Sequence, residues 1–131
     1  MSTVKLIEYP DASKEVREVY DDIMQTRETD YINNFWKALA NHPATLKRIW
    51  NQSKTVMAPG ALDGLTKEMI YIAVSVANNC EYCIHSHTAA AFNKEMSPAQ
   101  YEELLAVIAM ALQTNGLANG MQIKVDEKYK Q

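Results

Sequence analysis

Between residues 65 and 77 nearly every position is apolar or small, and this run restricts the fold more than any other stretch of the chain. Leu65, Met69, Ile72, Ala73 and Val76 fall on one helical face, and Ile70, Val74 and Ala77 widen it. The rival reading is a strand, because Ile70, Ile72, Val74 and Val76 alternate over a β-branched stretch. The length of the run and its Thr66-Lys67-Glu68 start favour a helix. A helix this apolar is expected at the buried centre of the fold, with the other segments packed around it.

Those other segments also read as helices. From Ser13, the residues Val16, Val19, Tyr20, Ile23 and Met24 form one apolar stripe, with Lys14, Arg17, Asp21 and Asp22 off it. A short helix over 33–40 carries Phe35, Trp36 and Leu39 and stops at Asn41-His42-Pro43. Pro43 suits the first turn of a new helix and disfavours helical geometry at His42. That next helix, over 43–56, turns Leu46, Ile49 and Trp50 inward and ends at Ala58-Pro59-Gly60. After the Asn78-Asn79 break, residues 81–95 form a helix carrying Ala89, Ala90, Ala91 and Phe92. Ser97-Pro98-Ala99-Gln100 is a start signal, with a capping serine, proline at the first helical position and glutamine to complete a capping box. The last helix carries Leu104, Leu105, Val107, Ile108, Ala111 and Leu112, with fraying expected between Gly116 and Gly120 and a solvated tail from Lys124. The fold class is all-α, about six helices in a single domain over residues 1–131, a length suited to one core.

Charge and composition exclude several classes of function. The net charge of -3 and a pI near 5.6 provide no basic field for phosphates, so nucleic acid is not expected as a partner. The first ten residues have no continuous apolar core of a signal peptide, and no stretch reaches the roughly eighteen apolar residues of a membrane span. A cytoplasmic protein is the expectation. In a reducing compartment, a cysteine pair three positions apart points to redox chemistry or metal binding rather than to a passive staple.

The chemistry-bearing pattern is Glu68, then Cys80-Glu81-Tyr82-Cys83, then His87. A cysteine at a helix start meets unsatisfied backbone N–H groups and the positive end of the helix dipole, and both favour the nucleophilic thiolate. Cys80, just after Asn78-Asn79, has that place. Cys83 and His87 are four apart and share a helix face with Cys80, so His87 can exchange a proton with Cys83 or with a water. Glu68 lies one helix earlier, with Tyr71 and Ser75 extending a polar strip through an apolar helix. A carboxylate in such surroundings is expected to have a partner, since burying an isolated charge is costly. The pattern licenses a vicinal dithiol that attacks an oxidised substrate and closes to a disulfide; it does not name that substrate.

The run from Leu65-Thr66-Lys67-Glu68 through Ala77-Asn78-Asn79-Cys80-Glu81-Tyr82-Cys83-Ile84-His85-Ser86-His87-Thr88-Ala89-Ala90 resembles the core of the alkylhydroperoxidase D (AhpD) and carboxymuconolactone decarboxylase superfamily. Upstream, Asn34-Phe35-Trp36-Lys37-Ala38-Leu39-Ala40-Asn41-His42-Pro43 resembles its peroxidase-related branch. The resemblance implies an all-helical antioxidant domain, assembled as a homotrimer or homohexamer, that reduces peroxides or a partner disulfide. It further implies that Cys83 becomes the sulfenic acid, that Cys80 donates a proton and resolves the intermediate, and that Glu68 and His87 form the proton relay. No bound cofactor is implied, and an external dithiol, lipoyl-type or thioredoxin-like, restores the pair. Some members carry a histidine between the cysteines where this chain has Tyr82, so Tyr82 and His85 stand as auxiliary candidates. The decarboxylase branch lacks the cysteine pair, which argues against lactone decarboxylation.

The alternative function is a non-enzymatic oligomer in which Cys80, Cys83 and His85 or His87 form a structural or zinc site, since two thiolates and an imidazole suit zinc. Consecutive helical turns rarely wrap three ligands around one ion, which weighs against it. Covalent haem attachment needs a histidine at the position of Ile84, and a thioredoxin-like fold needs a βαβ pattern that is absent. His85 reads as a surface histidine, His42 as a helix-corner residue, Trp36 and Trp50 as core or interface residues, and the methionines as core filling.

Overall fold

The computed structural model describes residues 1–130 as six α-helices and two short 3-10 turns, with no strand among the described residues. The helices are α1 (Lys14–Arg27), α2 (Asn34–Leu39), α3 (Pro43–Met57), α4 (Gly64–Ala77), α5 (Glu81–Asn93) and α6 (Pro98–Gly120). The all-α expectation holds, and each predicted helix is present within a residue or two of its expected start. The chain divides into two compact units, Met1–Ala58 and the segment from Pro59 onward.

In the first unit, the Ser13 side chain accepts from Val16 N–H and starts α1. Val16, Val19, Tyr20 and Ile23 are buried as the stripe predicts, joined by Ile32, Trp36, Leu46 and Trp50. Burying a side chain of this size is worth about 1.5–3 kcal/mol, so the stripe holds α1 in place. His42 caps α3: its Nδ1 accepts from Thr45 N–H, while Pro43 fills the first helical position. Trp36 and Trp50 meet edge to face at 5.4 Å, and the Trp50 indole donates to Asp22 Oδ2 at 2.6 Å. Lys54 reaches the same carboxylate oxygen, so Asp22 has the partners that a half-covered charge requires.

The second unit packs α4 against both α5 and α6 around Ile72, Ala91, Met96 and Ile108, with Leu65, Met69, Ala73, Val76, Tyr101 and Leu104 beside them. Ala91, fully buried, places no bulk at its point of the α5 surface. Asp63 caps α4 by accepting from Thr66 N–H at 2.7 Å, and the Ser97–Gln100 capping box forms as expected.

Two expectations fail here. The helix over 65–77 is not buried all round: Ile70, Tyr71 and Val74 are exposed, because α5 and α6 cover one side of α4. Nor does the last helix fray at Gly116. A mid-helix glycine costs only about 1 kcal/mol relative to alanine, and α6 runs on to Gly120. It stops where Gln122 enters the left-handed region at φ 50° and Ile123 N–H bonds back to Ala118 O. Beyond Ile108 α6 is exposed, so Met110, Leu112 and Leu117 form no part of the core.

Candidate active site

The end of α4 and the start of α5 share one turn. Asn79 adopts φ 54°, its N–H bonds Val76 O, and Cys80 N–H bonds Ser75 O at 3.0 Å. This is a Schellman ending, in which a left-handed residue lets the two N–H groups after the helix satisfy its last carbonyls. Asparagine tolerates that conformation better than most side chains, which gives the Asn78-Asn79 break its physical role. The residue that closes this motif, Cys80, is also the N-cap of α5, and its Sγ accepts from Cys83 N–H at 3.3 Å. One cysteine therefore ends one helix and begins the next, and its sulfur sits on the unsatisfied N–H groups of α5.

Cys80 and Cys83 are joined as a disulfide with a Cα–Cα distance of 5.2 Å. One turn further along α5, His87 Nδ1 lies 2.7 Å from Glu68 Oε2. Glu68 is buried on α4, its side chain 8% exposed, so the partner expected for it is present. An ionised carboxylate only accepts, which makes Nδ1 the protonated nitrogen and leaves Nε2 free to gain or lose a proton. Cys83 and His87, four apart on α5, share a face as the spacing requires. Glu68, Cys80, Cys83 and His87 thus occupy two adjoining helices around a single turn.

The flanking residues divide. Tyr71 stacks on the His87 ring, centroids 3.6 Å apart and planes 19° from parallel, which fixes the imidazole plane. Ser75, buried on α4, donates to Tyr71 O at 2.7 Å, one turn back along the same helix. Tyr82 is exposed between the cysteines. His85 is exposed on another face and, with Asn79, Glu81 and Ile84, lines a shallow open cavity. Among the described residues no three Cys, His, Asp or Glu side chains gather as a metal-ligating group, so Cys80 and Cys83 are not joined by His85 or His87 in such a cluster.

One neighbour carried no sequence signal. Lys94, the C-cap of α5, puts Nζ 3.6 Å from Glu68 Oε1, so the carboxylate faces an imidazole on one oxygen and an ammonium on the other. Its separation of twenty-six positions from Glu68 matches no local pattern.

Residues 43–123 match the model of the carboxymuconolactone decarboxylase family. The crystal structure of the alkylhydroperoxidase AhpD core from Rhodospirillum rubrum is similar with a TM-score of 0.95 and 57% identity, over 98% of this chain and 97% of that one. An uncharacterized protein of Cupriavidus necator is 27% identical over 64% of this chain and 74% of its own length. An uncharacterized protein of the cox locus of Paracoccus denitrificans is 39% identical over 44% of this chain and 51% of its own.

Proposed function

The chain belongs to the carboxymuconolactone decarboxylase family, in its alkylhydroperoxidase-like form, and we propose that it acts as a thiol-dependent peroxidase or disulfide oxidoreductase. One observation carries the reading: the disulfide-bonded Cys80 caps α5, whose next turn brings His87 against Glu68 of α4. In the reduced protein, His87 takes the Cys83 thiol proton. The Cys83 thiolate attacks one peroxide oxygen, the O–O bond breaks, and the alkoxide leaves as alcohol with the proton that His87 returns. Cys83 is then a sulfenic acid. Cys80 attacks its sulfur, hydroxide leaves as water, and the disulfide forms. An external dithiol, lipoyl-type or thioredoxin-like, returns two electrons and two protons by disulfide exchange.

Glu68 supports this cycle by holding the His87 tautomer and balancing the imidazolium that forms. The homotrimer or homohexamer remains part of the proposal. It is supported by the apolar residues that α6 leaves exposed, and light scattering from monomers would count against it.

The test is intact-protein mass spectrometry with thiol alkylation, on reduced protein before and after a small excess of peroxide. Loss of about two mass units with both cysteines closed to alkylation supports the reading. Cys80→Ser should trap a sulfenic acid on Cys83, and Cys83→Ser should abolish peroxide consumption. Equal turnover in the two variants would contradict the assignment.

A further inference from the structure

We propose that Lys94 is a positioning residue for the redox site, acting through Glu68 to keep His87 available as a base. This rests on the peroxidase reading for its consequence in catalysis, though its electrostatic part is testable without turnover. Glu68 offers its two oxygens to two different donors: Oε2 to His87 Nδ1 at 2.7 Å, Oε1 to Lys94 Nζ at 3.6 Å. A carboxylate paired with His87 alone favours the imidazolium, which cannot accept the Cys83 proton. A second cation on the same carboxylate opposes that, because the field of Lys94 disfavours a positive charge on the ring.

Gly64 gives the lysine its route. A Cβ built at Gly64 would lie 3.2 Å from Lys94 Cε and 3.5 Å from Cδ, so the stem of Lys94 runs over the first turn of α4 where glycine leaves room. Glycine is a poor helix former, and its backbone here is not in the left-handed region, so close passage of the lysine stem is the physical use this position shows. The same turn leads to Glu68, one helical turn later on the same side.

Groups of α4 and α5 meet at the pair. From α4 there is Tyr71, stacked on His87; from α5, His87 and its C-cap Lys94. α6 packs through Tyr101 and Leu104 against the core of Ile72, Ala91 and Met96, while its Glu102 and Glu103 are exposed. Lys94 thus places a cation against Glu68, and its side chain is 44% exposed, which limits the effect through solvent screening.

The experiment compares wild type, Lys94→Met and Lys94→Arg in two ways: the NMR titration of the His87 ring in the oxidised protein, and the pH profile of peroxide consumption with dithiothreitol as reductant. Lys94→Met should move the His87 titration and the acidic limb of the profile to higher pH. Lys94→Arg should restore both. An unmoved or lowered His87 titration in Lys94→Met, in a protein that is folded by circular dichroism, overturns the proposal. If wild type consumes no peroxide while the His87 titration still shifts, the peroxidase reading fails and the electrostatic role of Lys94 stands.

Discussion

Replacing Glu68 by glutamine separates the charge at the site from its shape. The carboxylate accepts from His87 and faces Lys94, while glutamine of the same outline has one acceptor oxygen and one amide NH2 donor. The favoured arrangement keeps the oxygen toward His87, because the Glu68 side chain is 8% exposed whereas Lys94 can swing into water. A charge-assisted hydrogen bond of roughly 1.5–3 kcal/mol then becomes a neutral one of roughly 0.5–1.5. The half-exposed contact with Lys94 adds about 0.5 kcal/mol or less, and relief from burying a charge offsets part of the sum. The expected net loss is about 1 kcal/mol of stability. Turnover should fall far more, by roughly 10²-fold, since positioned acid–base groups contribute about 10²–10⁴. Urea unfolding gives the first quantity and peroxide consumption with excess dithiothreitol the second. Wild-type turnover in Glu68→Gln would refute the relay, and a stability loss above about 3 kcal/mol would make Glu68 a structural group first.

Tyr71→Ala removes the ring stacked on His87 and should lower turnover severalfold while Tyr71→Phe retains it, with peroxide consumption as the measurement; equal rates in the two variants would mean the stack does not position His87. Asn79→Gly should keep the α4–α5 turn, whereas Asn79→Val should cost about 1–2 kcal/mol, read in urea unfolding, because the left-handed region penalises a β-branched side chain. In the first unit, burial and then the Glu8 charge push the Tyr20 hydroxyl up to about 12, while it donates to Ile7 O. Its neutral form therefore stabilises the fold fully below about pH 10, and that contribution should disappear as pH rises from 10 through about 12 in thermal melts. At the acid end, hydrogen bonds from Lys54 and then Trp50 hold the Asp22 carboxyl below its usual 3.8. Its contribution is present above that value and should fade as pH drops below it; Asp22→Asn should flatten that acid limb.

Much of the architecture was legible because it is encoded locally. Period 3.6 in Val16, Val19, Tyr20 and Ile23 found the buried side of α1, and the Ser97–Gln100 box found the start of α6. The pattern of Glu68, Cys80, Cys83 and His87 was legible for the same reason: helix geometry turns spacing into direction, and Asn78-Asn79 marks where direction reverses. The strand reading of residues 65–77 fails because the buried positions Glu68, Ile72 and Ser75 recur at helical rather than alternate spacing. Burial was misjudged at Ile70 and Val74, since composition shows that a helix is apolar but not how many neighbours reach it.

What the sequence determined by itself is the set of helices, their caps and the order of chemical groups along two of them, all fixed by backbone hydrogen bonding and side-chain period over a few residues. The tertiary structure decided what those groups meet. The stack of Tyr71 on His87 and the reach of Lys94 across Gly64 to Glu68 depend on how closely α4 and α5 approach, and that distance is set by packing around Ile72 and Ala91 rather than by any local rule.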